Sequence, residues 1–504
     1  MRDRLYLESI IVDQSSELIL KKNKIAKNPY FDLVPISSLR MRCEIAGFIA
    51  HRSRKIGLQT LIQDKNLLNR IIRFLGEQKN IVSLRDKPAE IWIRELKKWM
   101  LSNGYPLTYH ARQKNGYEYQ AKAKTLTYFE WILQYLEPED VRAEYEKDIW
   151  ELEKLDVAYR VSPIVNIRTI NFTKIIQEDI RKEVKRTVYH LIQHEDVGRI
   201  RRKMTILHEF SKYLKENHPM IHSFREVDRS LIEEYLFYVN VELASVNNLA
   251  GKLGDLKIIL EEIGKINGYD QLIGIILQRE VPKRIKAIYR AYSDAELVRL
   301  NAAIAELDEQ IARLLVIHQM LGTRISDTLT LERGCLYEKN GEIIIRIKQL
   351  KTRPYEKPVS TELATLIRKA EEYTYGRYGE TKYIFVSEKD ISMPMQYSAI
   401  RYKMRVMIYQ KDLRDDNGER FGFGSHLFRH TYGKKLTEMH LDDWTIAKLL
   451  GHSSLGSVKH YRRMSNQVLA EETREVRRKM SEIILASLDG WEEEYEQIRY
   501  NGSI

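Results

Sequence analysis

Apolar residues after Leu67 return at helical spacing: Leu67, Leu68, Ile71, Ile72 and Leu75 fall on one face and predict a buried stripe. Ile91–Met100 and Tyr128–Leu136 repeat that pattern, and their Trp and Tyr residues are expected in a core. Gly104, Pro106 and Gly116 mark a polar loop between these two helices. Residues 1–60 alternate only loosely, are broken by Pro29 and Pro35, and predict no definite element. A second helical block runs from about Thr173 to Leu277. One apolar face joins Ile175, Ile176, Ile180, Val184, Val188 and Leu191; others join Ile206, Phe210 and Leu214, then Leu231, Tyr235, Leu236 and Val239. Residues 278–290, interrupted by Pro282, read as a linker, and Ser293 with Glu296 is a capping-box start for the next helix. The β-branched run of Gly341–Val359 predicts a small sheet, after which helical spacing returns. Beyond residue 461, Val468, Leu469, Val476, Ile483, Ile484, Leu485 and Leu488 interrupt a charged stretch and predict a tail helix, docked on its own domain or on a neighbour. The pattern divides the chain into a helical extension (1–165), a helical domain (170–280) and a mixed α/β domain with its tail (290–504).

At 504 residues the chain exceeds what one core fills. Lys and Arg outnumber Asp and Glu by 83 to 71, a net charge of +12 that suits a polyanionic partner but also an ordinary basic surface. Within the second block, Arg181, Lys182, Lys185, Arg186, Arg199, Arg201, Arg202 and Lys203 lie between the apolar faces, where they suit phosphates or simply solvent. Cys43 and Cys335 are too few and too isolated for a disulfide framework or a structural zinc site. No apolar run approaches the ~20 residues of a membrane span, and charges occupy the first residues where a signal peptide has an apolar stretch. The expectation is a cytoplasmic protein in a reducing compartment.

The chemistry gathers in the last third. Arg324 stands in Leu-Gly-Thr-Arg-Ile-Ser-Asp327, His426 and Arg429 in His-Leu-Phe-Arg-His430, His452 in Leu-Gly-His, and Tyr461 nine residues later. Phosphodiester cleavage without a metal needs an in-line nucleophile, cations on the non-bridging oxygens, a base for the nucleophile's proton and an acid for the leaving oxygen. Two guanidiniums, two imidazoles and a phenol supply most of this set, and guanidinium forks suit phosphate because they donate two parallel bonds. Each residue alone has an ordinary reading. Arg324 and Asp327 form an i,i+3 ion pair, and Tyr461 is one of 30 tyrosines. His426 and His430 are an i,i+4 pair with no nearby cysteine or following glutamate to support zinc.

Taken in this order, residues from about 290 to 480 resemble the catalytic domain of tyrosine recombinases, the phage-integrase superfamily. The Arg324 segment resembles its first arginine box, His426–Thr431 its His-x-x-Arg box, and Gly451–His452 with Tyr461 its closing box. Lys351 sits where the family has a β-hairpin lysine, with Lys348 and Lys357 close enough to take that place if the hairpin register slips. Residues 173–277 resemble the core-binding domain more loosely. The long extension, and Ile149-Trp-Glu-Leu-Glu-Lys-Leu155, are similar to transposon-encoded members. The resemblance implies a mostly α multidomain chain: helical N-terminal and core-binding (SAM-like) domains and a mixed α/β catalytic domain with a small antiparallel sheet. It implies that Tyr461 forms a 3′-phosphotyrosyl link, that Arg324 and Arg429 hold the phosphate, and that Lys351 protonates the leaving 5′ oxygen. His426 accepts a proton near Tyr461, His452 donates to the phosphate, and Asp327 orients its neighbours. The implied partner is double-stranded DNA synapsed by a homo- or hetero-tetramer, with no metal, cofactor or membrane. Two other expectations stay open: a type IB topoisomerase-like activity, and a non-catalytic DNA-binding accessory role.

Overall fold

The structure, a computed structural model, describes residues 4–6, 30–138, 140–242, 248–283, 290–350 and 352–458. It is mostly helical with small antiparallel sheets, and it divides into two units at Val141/Arg142.

In the first unit, helices α1 (Leu39–Ser53), α2 (Leu58–Gly76), α3 (Ala89–Ser102) and α4 (Lys124–Leu136) surround a core that includes Phe48, Phe74, Trp92, Tyr128 and Phe129. The Ser38 hydroxyl caps α1 by accepting from the Met41 amide, and the Trp92 indole donates to Leu84 O at 2.8 Å. The aromatic stripes are therefore chiefly core, as expected, although Trp131 and Tyr135 remain exposed. A short pair joins β1 (Arg4–Tyr6) to β2 (Tyr30–Asp32), an element that the loose alternation did not reveal. The polar loop expected between α3 and α4 is instead an antiparallel ribbon of β3 (Thr108–Arg112) and β4 (Glu118–Lys122).

The second unit starts earlier than the apolar pattern placed it. Residues 149–155, assigned by that pattern to the end of the extension, pack into the core of the next block through Trp150, Leu152 and Leu155. Strand β5 (Ile149–Glu151) pairs with β6 (Thr169–Asn171), setting Trp150 opposite Ile170. Helices α5 (Glu178–Leu191), α6 (Val197–Asn217), α7 (Arg229–Glu242) and α8 (Leu249–Asn267) complete the core. Three of the cations expected on outer faces are used internally. Lys185 and Arg181 hold Asp148 at 2.8 and 2.9 Å, and Lys203 holds Glu195 at 2.6 Å, because long stems carry their charged heads to nearby carboxylates. Arg186, Arg199, Arg201 and Arg202 are exposed.

The remaining helices are α9 (Asp294–Ile304), α10 (Glu309–Leu321), α11 (Ile325–Leu329), α12 (Thr361–Tyr378), α13 (Tyr397–Gln410), α14 (Ser425–Glu438) and α15 (Asp443–Leu450). Ser293 and Glu296 form the expected capping box at α9. Helix α10 runs through the core with Leu314, Leu315, Ile317 and Leu321 fully buried. The expected sheet is β7 (Leu336–Lys339), β8 (Glu342–Ile347) and β9 (Tyr355–Pro358), antiparallel in that order, with Ile345 opposite Lys357. A bulged pair, β10 (Val386–Ser387) and β11 (Asp390–Pro394), lies before α13. Ile164 inserts into this core, and its carbonyl accepts from the Tyr397 amide at 3.3 Å, so the two helical blocks are tied by more than the 278–290 linker. Lys351, Tyr461 and the tail after it lie outside the described residues.

Candidate active site

Helix α10 ends at Gly322, whose φ of 62° belongs to the left-handed region that glycine adopts without a Cβ penalty. The reversal carries the chain through Thr323 to Arg324, the N-cap residue of α11. A buried network holds this turn. The His318 ring contacts Thr328 Oγ1 at 2.8 Å and Ser425 O at 3.2 Å, while Thr323 and Thr328 hydroxyls share a 2.6 Å bond. Burial pushes His318 down to about 4, so it serves as a neutral spacer between α10 and the start of α14.

Arg429 projects from α14 into the centre. Only 3% exposed, it donates from Nη1 to Gly322 O at 2.9 Å and from Nη2 to Leu450 O at 2.8 Å. Its Nη2 also lies 3.1 Å from His452 Nε2. A guanidinium only donates, so His452 Nε2 is the acceptor and the imidazole proton resides on Nδ1. Burial, then Arg429 and Arg324, drive the His452 pKa down to about 4. His452 follows Gly451, the left-handed C-cap of α15, and its amide donates back to Ala447 O at 2.9 Å. A Cβ at Gly451 would strike Gln349 and Tyr355, so the α15 turn is fitted against the sheet.

Arg324 and Asp327 form the i,i+3 pair read from the sequence, but at 3.8 Å it is a loose one. Arg324 Nη1 is buried yet makes no hydrogen bond among the described residues. Asp327 is 1% exposed, and burial raises its pKa. It is held by Ser326 Oγ at 3.0 Å, by the Leu350 amide, and more distantly by Gln349 Nε2 at 3.4 Å. Gln349 also accepts from the Thr352 hydroxyl. His426 lies in the first turn of the same helix as Arg429, three residues earlier, and its side chain is exposed. The structure thus brings together Arg324, Asp327, Arg429 and His452, with His426 on the adjoining helix turn.

Two further residues border this cluster: Tyr355, which the sequence reading did not single out, and Lys357, a rival to Lys351 under a slip of hairpin register. Tyr355 lies within the electrostatic reach of Arg429, Asp327 and Arg324; burial raises its pKa, and its hydroxyl has no hydrogen-bond partner among the described residues. Lys357 is buried, donates to Leu321 O, and places its ammonium 5.2 Å from the Tyr432 ring centroid. Burial and Arg429 lower its pKa to about 7. Period-2 spacing on β9 was the available signal, since Tyr355 and Lys357 share a face while Glu356 turns outward to Arg346 and Tyr337.

This arrangement can receive an anion. One fixed guanidinium and a neutral imidazole donor converge, and a second guanidinium retains hydrogen-bonding capacity. No cluster of His, Cys, Asp and Glu among the described residues is arranged to hold a metal ion.

Residues 291–467 match the phage integrase family. Transposase B from transposon Tn554 of Staphylococcus aureus is 25% identical over 474 residues, spanning 91% of this chain and 74% of the relative. Tyrosine recombinase XerC of Lacticaseibacillus casei is 22% identical over 272 residues, 53% of this chain and 88% of that protein. Among solved structures, XerH recombinase in a post-cleavage complex with palindromic difH aligns over 58% of this chain and 84% of its own, with TM-score 0.43 and 16% identity.

Proposed function

We propose that this transposon-type tyrosine recombinase, with its phage integrase domain at 291–467, cuts and rejoins duplex DNA at the ends of a mobile element through Tyr461. The observation that carries the residue roles is the Arg429–His452 link beside Arg324, whose Nη1 makes no hydrogen bond among the described residues. Arg429 is held rigid by Gly322 O, Leu450 O and His452, which suits a group that must meet the transition state without reorganising.

Tyr461 attacks the scissile phosphorus and displaces the 5′ oxygen, leaving a 3′-phosphotyrosyl bond. Arg324 and Arg429 stabilise the non-bridging oxygens as charge builds on them. His452, neutral and protonated on Nδ1, adds a hydrogen bond there. His426 accepts the phenolic proton, and Lys351 gives a proton to the leaving oxygen. The competing lysines are occupied: Lys348 pairs with Glu332, and Lys357 supports the Leu321 carbonyl. Attack by a 5′ hydroxyl from a second duplex reverses each step, so the phosphodiester energy is kept in the tyrosyl ester.

The exposed Arg186, Arg199, Arg201 and Arg202 of the 170–280 block suit phosphates of a duplex gripped between this block and residues 290–504. A tetramer on synapsed DNA completes the reading, and its place is the nucleoid in the cytoplasm. The test incubates two labelled duplexes from the element's ends with the full chain, a chelator and no ATP. Joint molecules formed by wild type but not by Tyr461→Phe are expected. Relaxation of supercoiled DNA without joint molecules would overturn the exchange reading in favour of a topoisomerase-like activity.

A further inference from the structure

The β3–β4 ribbon poses a physical question, because it spends a well-formed element on no core. None of residues 108–122 belongs to the hydrophobic cluster of the first unit, and apart from Ala111 and Ala121 every residue of both strands is exposed. An isolated two-stranded hairpin is marginal in water. Here it is held by its own polar groups. Arg112 faces Glu118 at 3.4 Å, Gln120 donates to Thr108 Oγ1 at 2.8 Å, and the Tyr117 and Tyr119 rings stack at 5.9 Å. The Asn115-Gly116 turn closes it through Gln113 and Tyr117, and at its base Ala123 N donates to Leu107 O at 2.8 Å.

The register sorts its side chains into two unlike faces. Thr108 pairs with Lys122, His110 with Gln120 and Arg112 with Glu118, so one face carries six hydrogen-bonding side chains and no apolar one. The other face carries Tyr109, Ala111, Tyr119 and Ala121. From Thr108 to Lys124, Arg112, Lys114, Lys122 and Lys124 oppose Glu118 alone, although Lys122 also reaches Glu130 of α4. A five-residue strand extends about 17 Å, with its partner about 5 Å away. The major groove of B-DNA is about 12 Å wide and admits a two-stranded ribbon. Arg, Lys and Gln are the side chains that read guanine and adenine edges there.

We propose that the β3–β4 ribbon is a second DNA-reading element, lying in the major groove with Thr108, His110, Arg112, Gln120 and Lys122 toward the base edges. It rests on the reading of this chain as a DNA recombinase, and it gives the first unit a ligand of its own. Charge and hydrogen-bonding complementarity favour duplex DNA over a protein strand, since an added strand would pair the ribbon's backbone edge and make no use of the polar face.

The experiment probes guanine N7, a major-groove atom, by methylation protection on duplexes from the element's ends. It compares wild-type full chain with the R112S/Q120S/K122S variant and with Gln120→Glu, which keeps every cation and adds one repelling charge. Covalent-adduct formation is scored in the same reactions, and unchanged melting checks that each variant is folded. Wild type is expected to protect a set of guanines that both variants leave reactive, while adduct at the cleavage site persists. The triple variant should also bind at least about tenfold more weakly, with a salt slope shallower by up to about two. Identical protection and affinity in all three proteins, with adduct present, would overturn the ribbon proposal and leave the recombinase reading standing. Absence of both protection and adduct with wild type would overturn both.

Discussion

Arg324 and Arg429 are assigned to the same phosphate, yet the structure predicts that replacing them has different consequences for the fold. Arg429→Met keeps an apolar stem but removes the donors to Gly322 O and Leu450 O, two carbonyls in a buried site. A buried acceptor left unpaired costs about 1–3 kcal/mol, so the pair costs about 2–6 kcal/mol. For a domain of this size that is a fall of roughly 5–20 °C in melting temperature. Among the described residues Arg324→Met removes no hydrogen bond, only the loose 3.8 Å contact to Asp327, and should cost about 1 kcal/mol, or roughly 2–4 °C. Both variants should lose Tyr461–DNA adduct by about a hundredfold or more, since each removes a transition-state donor. The assay is melting of each full-length protein followed through its cooperative transitions, with adduct formation measured well below the lowest one. Equal melting of the two variants would refute the distinction between a braced and a poised arginine. An active Arg324→Met protein would refute the assignment of its guanidinium to the phosphate.

Gly322→Ala should destabilise by about 1–3 kcal/mol, because φ is 62° and the added methyl would overlap the Tyr432 ring; thermal denaturation checks it. Lys357→Met tests the buried ammonium through pH. The folded pKa of about 7 lies below the unfolded lysine value, so the cost of burying the charge is full below pH 7 and fades as pH climbs toward 10.5. The melting difference between Lys357→Met and wild type should therefore shift against the variant by about 2 kcal/mol between pH 7 and pH 9, and a pH-independent difference would remove the charged group from the account. His452, held near 4 in the free protein, should show no imidazole protonation by NMR between pH 5.5 and 8 before DNA is added. A titration midpoint near 6.5 would contradict the Arg429–His452 link.

The helical stripes were legible because 3.6-residue spacing with large apolar residues has few alternative meanings. Ile71, Val184 and Leu214 are buried by just such stripes. The capping box at Ser293 was equally plain. The ribbon was missed because its residues alternate without apolar side chains to bury, though Asn115-Gly116 between tyrosine-bearing runs is a hairpin signal. The place of residues 149–155 was missed because a three-residue strand such as β5 has too little pattern to show which core its Trp150 joins. Of the site, Arg324, Arg429 and His452 were legible from their boxes, since short motifs fix residue types at turns and helix starts. Tyr355 was not, and Lys357 only as a rival to Lys351, because their role depends on the register of β9 against β8 and on the packing of Gly322 and Gly451 turns, and these are tertiary facts. Lys185 and Lys203 show the converse: a basic residue in sequence gives no indication that a distant carboxylate will claim it.

The central claim is a phosphodiester passed through Tyr461, and peptide mapping of the trapped covalent complex tests it most directly. Duplex DNA nicked near the cleavage site to retain the adduct would be incubated with the full chain, digested with protease and nuclease, and sequenced by mass spectrometry. The account predicts a nucleotide attached by its 3′ phosphate to Tyr461 and a free 5′ hydroxyl on the partner strand. A nucleotide on any other side chain, or cleavage that leaves a 5′ phosphate and no protein-linked product, would contradict it.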